Sequence, residues 1–263
     1  MLTQQTLWQS QYSTIVACAD AQALPVRDES VDLVVTSPPY NCGIPYDVHD
    51  DAMPHDAYLE MLCEVWGECL RVMKPGARIC LVVPVGTGRT PYRPLGAEIT
   101  LLIQSIFQLK GVIVWNKATS SNRTTWGSWR LPTNPSLRDC AELIIIGKNP
   151  GIFNVPDEVL EFDEHGRRYS PWLTAENFPG LTQNLWTIKP ETSLKVGHPV
   201  PFPSELVERL LRLYGFVGCT VLDPFGGSGT VAIAAKRLGC HAVSLDISEG
   251  YCRMASKRVQ EMC

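Results

Sequence analysis

Val221-Leu222-Asp223-Pro224-Phe225-Gly226-Gly227-Ser228-Gly229-Thr230 reads as a short buried strand that ends in a glycine-rich turn and opens a helix. Pro224 cannot donate to a strand ladder, so the strand must stop at Asp223. Gly227, Gly229 and Ala232 then satisfy the G-x-G-x-x-G/A spacing of a dinucleotide-type turn. Asp246 closes the next apolar run, about twenty residues on, where an acid takes ribose hydroxyls. Residues 219–247 are therefore expected to form a nucleotide-binding βαβ unit. The spacing alone does not separate a nicotinamide dinucleotide from S-adenosylmethionine, because both offer an adenosine ribose.

Working outward, a second strand signal lies far upstream. The apolar run 31–35 leads into Thr36-Ser37-Pro38-Pro39-Tyr40-Asn41. Prolines cannot continue a central strand, so the chain must leave the sheet at its carboxyl edge. There it presents a stiff loop with proline carbonyls, the Ser37 hydroxyl and the Tyr40 ring. Open α/β sheets place ligands at such strand ends.

The remaining periodicity alternates. Strands are expected at 14–18 (ending at Asp20), 78–83, 111–115 and 143–146. Helices are expected at 56–73, 94–109 and 204–214, the first stopped by Lys74-Pro75-Gly76 and the last capped by Ser204. A strand, turn, helix, strand and helix fill 219–262. This order predicts a doubly wound, mostly parallel sheet. Residues 150–197 lack a clean period and carry several Pro and Gly, as an insertion of strand and loop would.

With 263 residues and 45% hydrophobic content, the chain suits one α/β domain, 1–263, carrying that insertion. No apolar run reaches membrane-spanning length, and Met1-Leu2-Thr3-Gln4-Gln5 lacks the features of a secretion signal, so a cytoplasmic protein is expected. The ten cysteines show no C-x-x-C or zinc spacing; Cys18, Cys63, Cys80, Cys140 and Cys240 read as buried, reduced thiols. The loop containing His49, Asp50, Asp51, His55 and Asp56 matches no metal motif, and no metal is expected. A net charge of −4 argues against indiscriminate coating of nucleic acid. Residues 110–138, however, contain Lys110, Lys117, Arg123, Arg130 and Arg138 with no acid before Asp139. Interleaved with Trp115, Trp126 and Trp129, they are candidates for phosphate contact, Lys117, Arg123 and Arg130 above all.

Ser37-Pro38-Pro39-Tyr40 resembles the catalytic motif of DNA methyltransferases that modify exocyclic amino groups. Asp223-Pro224-Phe225-Gly226-Gly227 resembles the cofactor motif of the same enzymes. With the catalytic motif first and the cofactor motif last, the chain resembles their circularly permuted β class. The resemblance implies a seven-stranded Rossmann-like methyltransferase sheet and S-adenosylmethionine as cofactor. It makes Ser37, Pro38, Pro39 and Tyr40 catalytic. It places Asp223, Phe225, Gly227, Gly229, Thr230 and Asp246 around the cofactor, with Asp20 on its adenine and His198 and Phe202 near its methionine part. Residues 150–197 fall where the family keeps a small target-recognition region.

The implied substrate is double-stranded DNA, with a flipped base. Serine at the first motif position is more typical of cytosine-N4 enzymes, and aspartate or asparagine of adenine-N6 enzymes, so cytosine N4 is favoured over adenine N6. Cys42 follows Asn41 rather than a proline and does not fit the nucleophile of carbon-methylating enzymes. The resemblance leaves room for a homodimer and a cognate restriction endonuclease; the residues decide neither, nor do they exclude RNA. Rival readings are a non-catalytic nucleotide- or DNA-binding regulator on the same fold and, more remotely, a metal-dependent hydrolase using His49 and His55.

Overall fold

The computed structural model describes residues 11–88, 91–118, 127–191 and 203–262; Arg123, Trp126, His198 and Phe202 lie outside them. The chain runs β1 (Thr14–Cys18), β2 (Val31–Thr36), α1 (His55–Val72), β3 (Met73–Pro84), α2 (Leu95–Ile106), β4 (Gln108–Asn116) and β5 (Ala141–Lys148). A small hairpin of β6 (Glu161–Phe162) and β7 (Arg168–Tyr169) follows, then α3 (Phe178–Leu181) and β8 (Leu185–Thr187). The last part is α4 (Ser204–Tyr214), β9 (Thr220–Asp223), α5 (Thr230–Arg237), β10 (His241–Asp246) and α6 (Glu249–Gln260).

All six residues of β2 are buried, as befits a strand at the middle of a sheet covered on both faces. Its side chains alternate between two cores. Leu33 and Val35 join α4 and α5 residues such as Leu206, Leu210 and Val231; Val34 joins Leu62 and Trp66 of α1 and Ile99 of α2. The strand order is β1-β10-β9-β2-β3-β5-β4-β8. Among the described residues, every pairing in this sheet is parallel except the two made by β5, so β5 alone runs against it. This is the doubly wound, mostly parallel sheet that the alternation predicts. Among the described residues it has eight strands rather than seven, because β8, from within residues 150–197, pairs alongside β4.

Three local expectations need correction. The first helix does end ahead of Lys74-Pro75-Gly76, at Val72, but the strand expected from 78 already starts at Met73 and takes in that triplet, with Gly76 in the left-handed region (φ 81°). Gly76 accepts that conformation freely, and the register slips between Val31 and Leu33 of the partner strand. Ser204 is the first residue of α4 rather than its cap; Pro203 takes the cap position, which suits a residue with no N–H to satisfy. Cys80 and Cys240 are buried, but Cys18 and Cys63 are exposed and Cys140 is intermediate.

β2 lies between β3 and β9, so the loop after β2 and the glycine turn after β9 emerge side by side at the carboxyl edge. The two ends are also tied directly. Thr36 Oγ1 donates to Asp223 Oδ1 at 2.6 Å, both groups buried. No helix among the described residues is long and apolar enough to cross a membrane.

Candidate active site

A cleft opens at the carboxyl ends of β1, β2, β9 and β10. The segment 37–40 lines one part of it, and Phe225, Gly226, Gly227 and Asp246 another. The segment is rigid because its groups are anchored. Tyr58 of α1 donates its hydroxyl to the Pro39 carbonyl at 2.7 Å. Ser37 Oγ lies 3.0 Å from the Val82 carbonyl, to which it donates, and 3.0 Å from the Tyr40 hydroxyl. That hydroxyl in turn donates to Glu142 Oε2 at 3.3 Å. Tyr40 is 8% exposed, and burial, reinforced by Glu142, pushes its phenol well above its usual pKa. It stays a neutral donor.

The chain beyond Tyr40 is held by Asp51. Its buried carboxylate accepts the backbone N–H groups of Asn41 (2.8 Å), Cys42 (3.0 Å) and Ile44 (2.9 Å). The turn needs Asn41 at φ 50°, a conformation asparagine tolerates better than most residues. His55 pairs with Glu98 at 3.1 Å. Asp51 and His55 of this loop thus have structural partners rather than a common centre.

The glycine turn spends most of its donors internally. Phe225 N–H goes to Asp223 Oδ1 (3.1 Å), Gly226 N–H to Leu245 O (2.6 Å) and Gly227 N–H to Asp246 Oδ2 (2.9 Å). The Gly229 N–H goes to Gly226 O at 2.8 Å as α5 begins. Gly229 (φ 78°) lies outside the cleft lining; a Cβ there would meet the Ala255 Cβ at 2.9 Å, so this glycine lets α6 approach α5. Asp246 Oδ1 accepts the Ser248 N–H at 2.9 Å, and burial raises its pKa against the pull of these two N–H bonds. Asp223 lies beneath the cleft, and burial pushes its pKa up to about 7 despite its bonds from Thr36 and Phe225.

Of the expected site residues, Asp20, Ser37, Pro38, Pro39, Tyr40, Phe225, Gly227, Thr230 and Asp246 all line this cleft. His198, Phe202 and Arg123 lie outside the described residues. Two members of the basic, aromatic run behave otherwise than its composition implies. Lys117 is paired with buried Glu142, and Trp115 is 2% exposed with its indole N–H given to Ile188 O at 2.8 Å. Arg130 and Trp129 are exposed. The cleft also includes Tyr46, Ser248 and Tyr251, which sequence reasoning missed, His49, which it weighed only for a metal or a hydrolase, and Ile247, an exposed apolar residue directly after Asp246. A polar-to-apolar step straight after a strand-closing acid is the one signal that could have found Ile247.

The lining has a sign. Among the described residues, none of those that line it is Lys or Arg, whereas Asp20 and Asp246 stand at the ends of the paired strands β1 and β10. A pyrophosphate would be repelled by such a surface; a cationic adenosine compound would be accepted. A family model described as DNA methylase, of the N6/N4 type, matches residues 31–257. The chain belongs to the N6/N4 DNA methylase family. It is 31% identical to the type II methyltransferase M.MjaVI of Methanocaldococcus jannaschii over 166 residues, 63% of this chain and 80% of that one. It is 25% identical to the DNA adenine methyltransferase YhdJ of Escherichia coli, over 92% of this chain and 80% of that one. A putative DNA modification methylase of Thermus thermophilus, solved in complex with S-adenosylmethionine, superposes with a TM-score of 0.71 at 30% identity over 95% of each chain. This methylase is therefore a DNA amino-methyltransferase that uses S-adenosylmethionine, and its acid-lined cleft suits that cation.

Proposed function

We propose that the protein methylates the exocyclic N4 of cytosine in double-stranded DNA, with the target base flipped into the cleft. The observation that carries this reading is the state of Ser37. Its hydroxyl hydrogen is engaged by protein acceptors, Val82 O or Tyr40, which leaves oxygen lone pairs for an incoming amino N–H. With the Pro39 carbonyl taken by Tyr58, the Pro38 carbonyl is the second acceptor. Accepting both N–H bonds favours a tetrahedral nitrogen and frees its lone pair, which in a planar amine is delocalised into the ring. Catalysis is then positioning and electrostatics. Extruding the base costs a few kcal/mol, and the tethered Tyr40 ring offers stacking worth roughly 1–3 kcal/mol.

On the cofactor side, Asp246 would hold the ribose hydroxyls, Asp20 the adenine amino group, and Ile247 with Phe225 the apolar faces of the purine. When bound, S-adenosylmethionine supplies the electrophilic methyl group. The insertion 150–197 would read the target sequence, and exposed Arg130 would meet phosphate. Likeness to YhdJ favours adenine N6 as the second reading. Nucleoside mass spectrometry of unmodified duplex DNA treated with the protein separates the two. N4-methylcytosine is expected; N6-methyladenine would move the target base, and 5-methylcytosine would refute the mechanism, since no Pro-Cys nucleophile follows β2.

Asp223 adds a pH dependence. Its folded pKa of about 7 lies above the unfolded value, so its burial costs stability as pH rises between the two. For ligand binding the sign is opposite: the cationic end of the cofactor favours the ionised carboxylate. Cofactor affinity should therefore fall as pH drops through 7, by about tenfold between pH 8 and pH 6. Calorimetry across this range checks it, and in Asp223→Asn the slope should flatten.

A further inference from the structure

Methylation leaves the attacking nitrogen with one proton too many, and among the described residues the cleft lining holds no evident strong base next to Ser37. The hydrogen bonds behind Ser37 supply a route. Ser37 Oγ contacts the Tyr40 hydroxyl at 3.0 Å, the Tyr40 hydroxyl donates to Glu142 Oε2 at 3.3 Å, and Glu142 Oε1 is paired with the Lys117 ammonium. These groups come from four places in the chain: the end of β2, the loop after it, the start of β5 and the residue after β4. Glu142 is 6% exposed, whereas Lys117 keeps 23% of its side chain open to solvent. A carboxylate this buried, joined to a reactive serine by one phenol, is more than a strand ornament.

We propose that Glu142 is the terminal acceptor of the proton released from the methylated amino nitrogen, reached through the hydroxyls of Ser37 and Tyr40. The inference rests on the reading of Ser37 as the acceptor of the amino N–H. In the transfer, the N–C bond forms and the S–C bond breaks, with its electron pair staying on sulfur. The nitrogen then gives a proton to Ser37 Oγ. Ser37, its hydroxyl hydrogen turned from the Val82 carbonyl to the Tyr40 oxygen at the same 3.0 Å, passes that hydrogen to Tyr40, and Tyr40 passes its hydrogen to the Glu142 carboxylate. Both hydroxyls end as they began, and the positive charge that started on sulfur ends by neutralising Glu142. Lys117, the ion-pair partner of that carboxylate, keeps part of its side chain open to solvent. Among the described residues, Tyr40 and Lys117 are the titratable groups that meet the Glu142 carboxylate. Because the phenol resists ionisation, Tyr40 must give a proton as it takes one, which requires the hydrogen bonds on both sides of it.

The test uses the full chain, unmodified duplex DNA and single-turnover kinetics. Glu142→Gln and Tyr40→Phe should each slow methyl transfer about 10²-fold, and the double variant should be no slower than either. Cofactor affinity should stay within about twofold of the parent, since neither side chain belongs to the cofactor half. The parent should show a solvent deuterium isotope effect that Tyr40→Phe abolishes. Glu142→Gln also strands the Lys117 charge, so Glu142→Gln with Lys117→Met provides a neutral pair. A purely structural role predicts that this pair recovers the rate; the relay predicts that it stays slow. If Glu142→Gln does not fold, the isotope effect in Tyr40→Phe decides. Full rate in either single variant, multiplying losses in the double, or recovery in the neutral pair would overturn the relay while leaving the methyltransferase reading intact. A parent chain that methylates no amino nitrogen would sink that reading, and the relay with it.

Discussion

Asp246→Ala should raise the dissociation constant of S-adenosylmethionine by about 10²- to 10⁴-fold. Two charge-assisted ribose hydrogen bonds would be lost, each contributing roughly 1.5–3 kcal/mol. The same carboxylate also receives the Gly227 and Ser248 amides, one on each oxygen, so it shapes the glycine turn as well as the ligand. Asp246→Asn separates the two roles, because it keeps the size and one acceptor while losing the charge. Calorimetry on both variants, with thermal melting of the ligand-free proteins, measures the effect. Undiminished affinity in a folded Asp246→Ala protein would remove the ribose assignment.

Ser37→Ala should lower the single-turnover rate about 10²- to 10³-fold, in the range seen for loss of one preorganised polar group at a reacting centre. The contact strengthens as the nitrogen turns tetrahedral, so its loss should appear in the chemical step rather than in binding. The substitution also removes the hydrogen bond to the Val82 carbonyl, at a stability cost of about 1 kcal/mol. That is too little to unfold the domain, and cofactor affinity should hold. Rapid-quench measurement of methyl transfer, at saturating cofactor, tests the expectation, and an unimpaired rate would end the case for Ser37.

Much of this architecture is legible in the chain, because periodicity reports which side of an element is covered. The bounds of α4 are as the pattern predicts, and β1, β2 and the glycine turn lie where the apolar runs place them. What escapes is whatever depends on a neighbour distant in sequence. Lys117 sits in an acid-free stretch, yet it answers to Glu142, which is 25 residues away in sequence and brought beside it by antiparallel pairing of β4 with β5. Trp115 reads as an aromatic beside basic residues, but it is buried where β4 pairs with β8. The Pro75-Gly76 pair has the composition of a turn and is held in a strand that has β2 and β5 on either side. Tyr46, His49 and Tyr251 reach the cleft from a loop and a helix whose paths no local pattern describes.

The bond from Thr36 to Asp223 joins residues 187 positions apart, and β1 has β10 as its neighbour in the sheet. A ribosome therefore delivers the loop 37–41 well before the strands β9 and β10 that support it. Among the described residues, β1 pairs with β10 and β2 has β9 on one edge, so until residues 220–246 emerge those edges are bare and the glycine turn and Asp246 are missing from the cleft. The donor site thus comes into being only when residues 220–246 join the sheet. For the same reason, two fragments divided within residues 150–197 should each be silent and become active only when reunited.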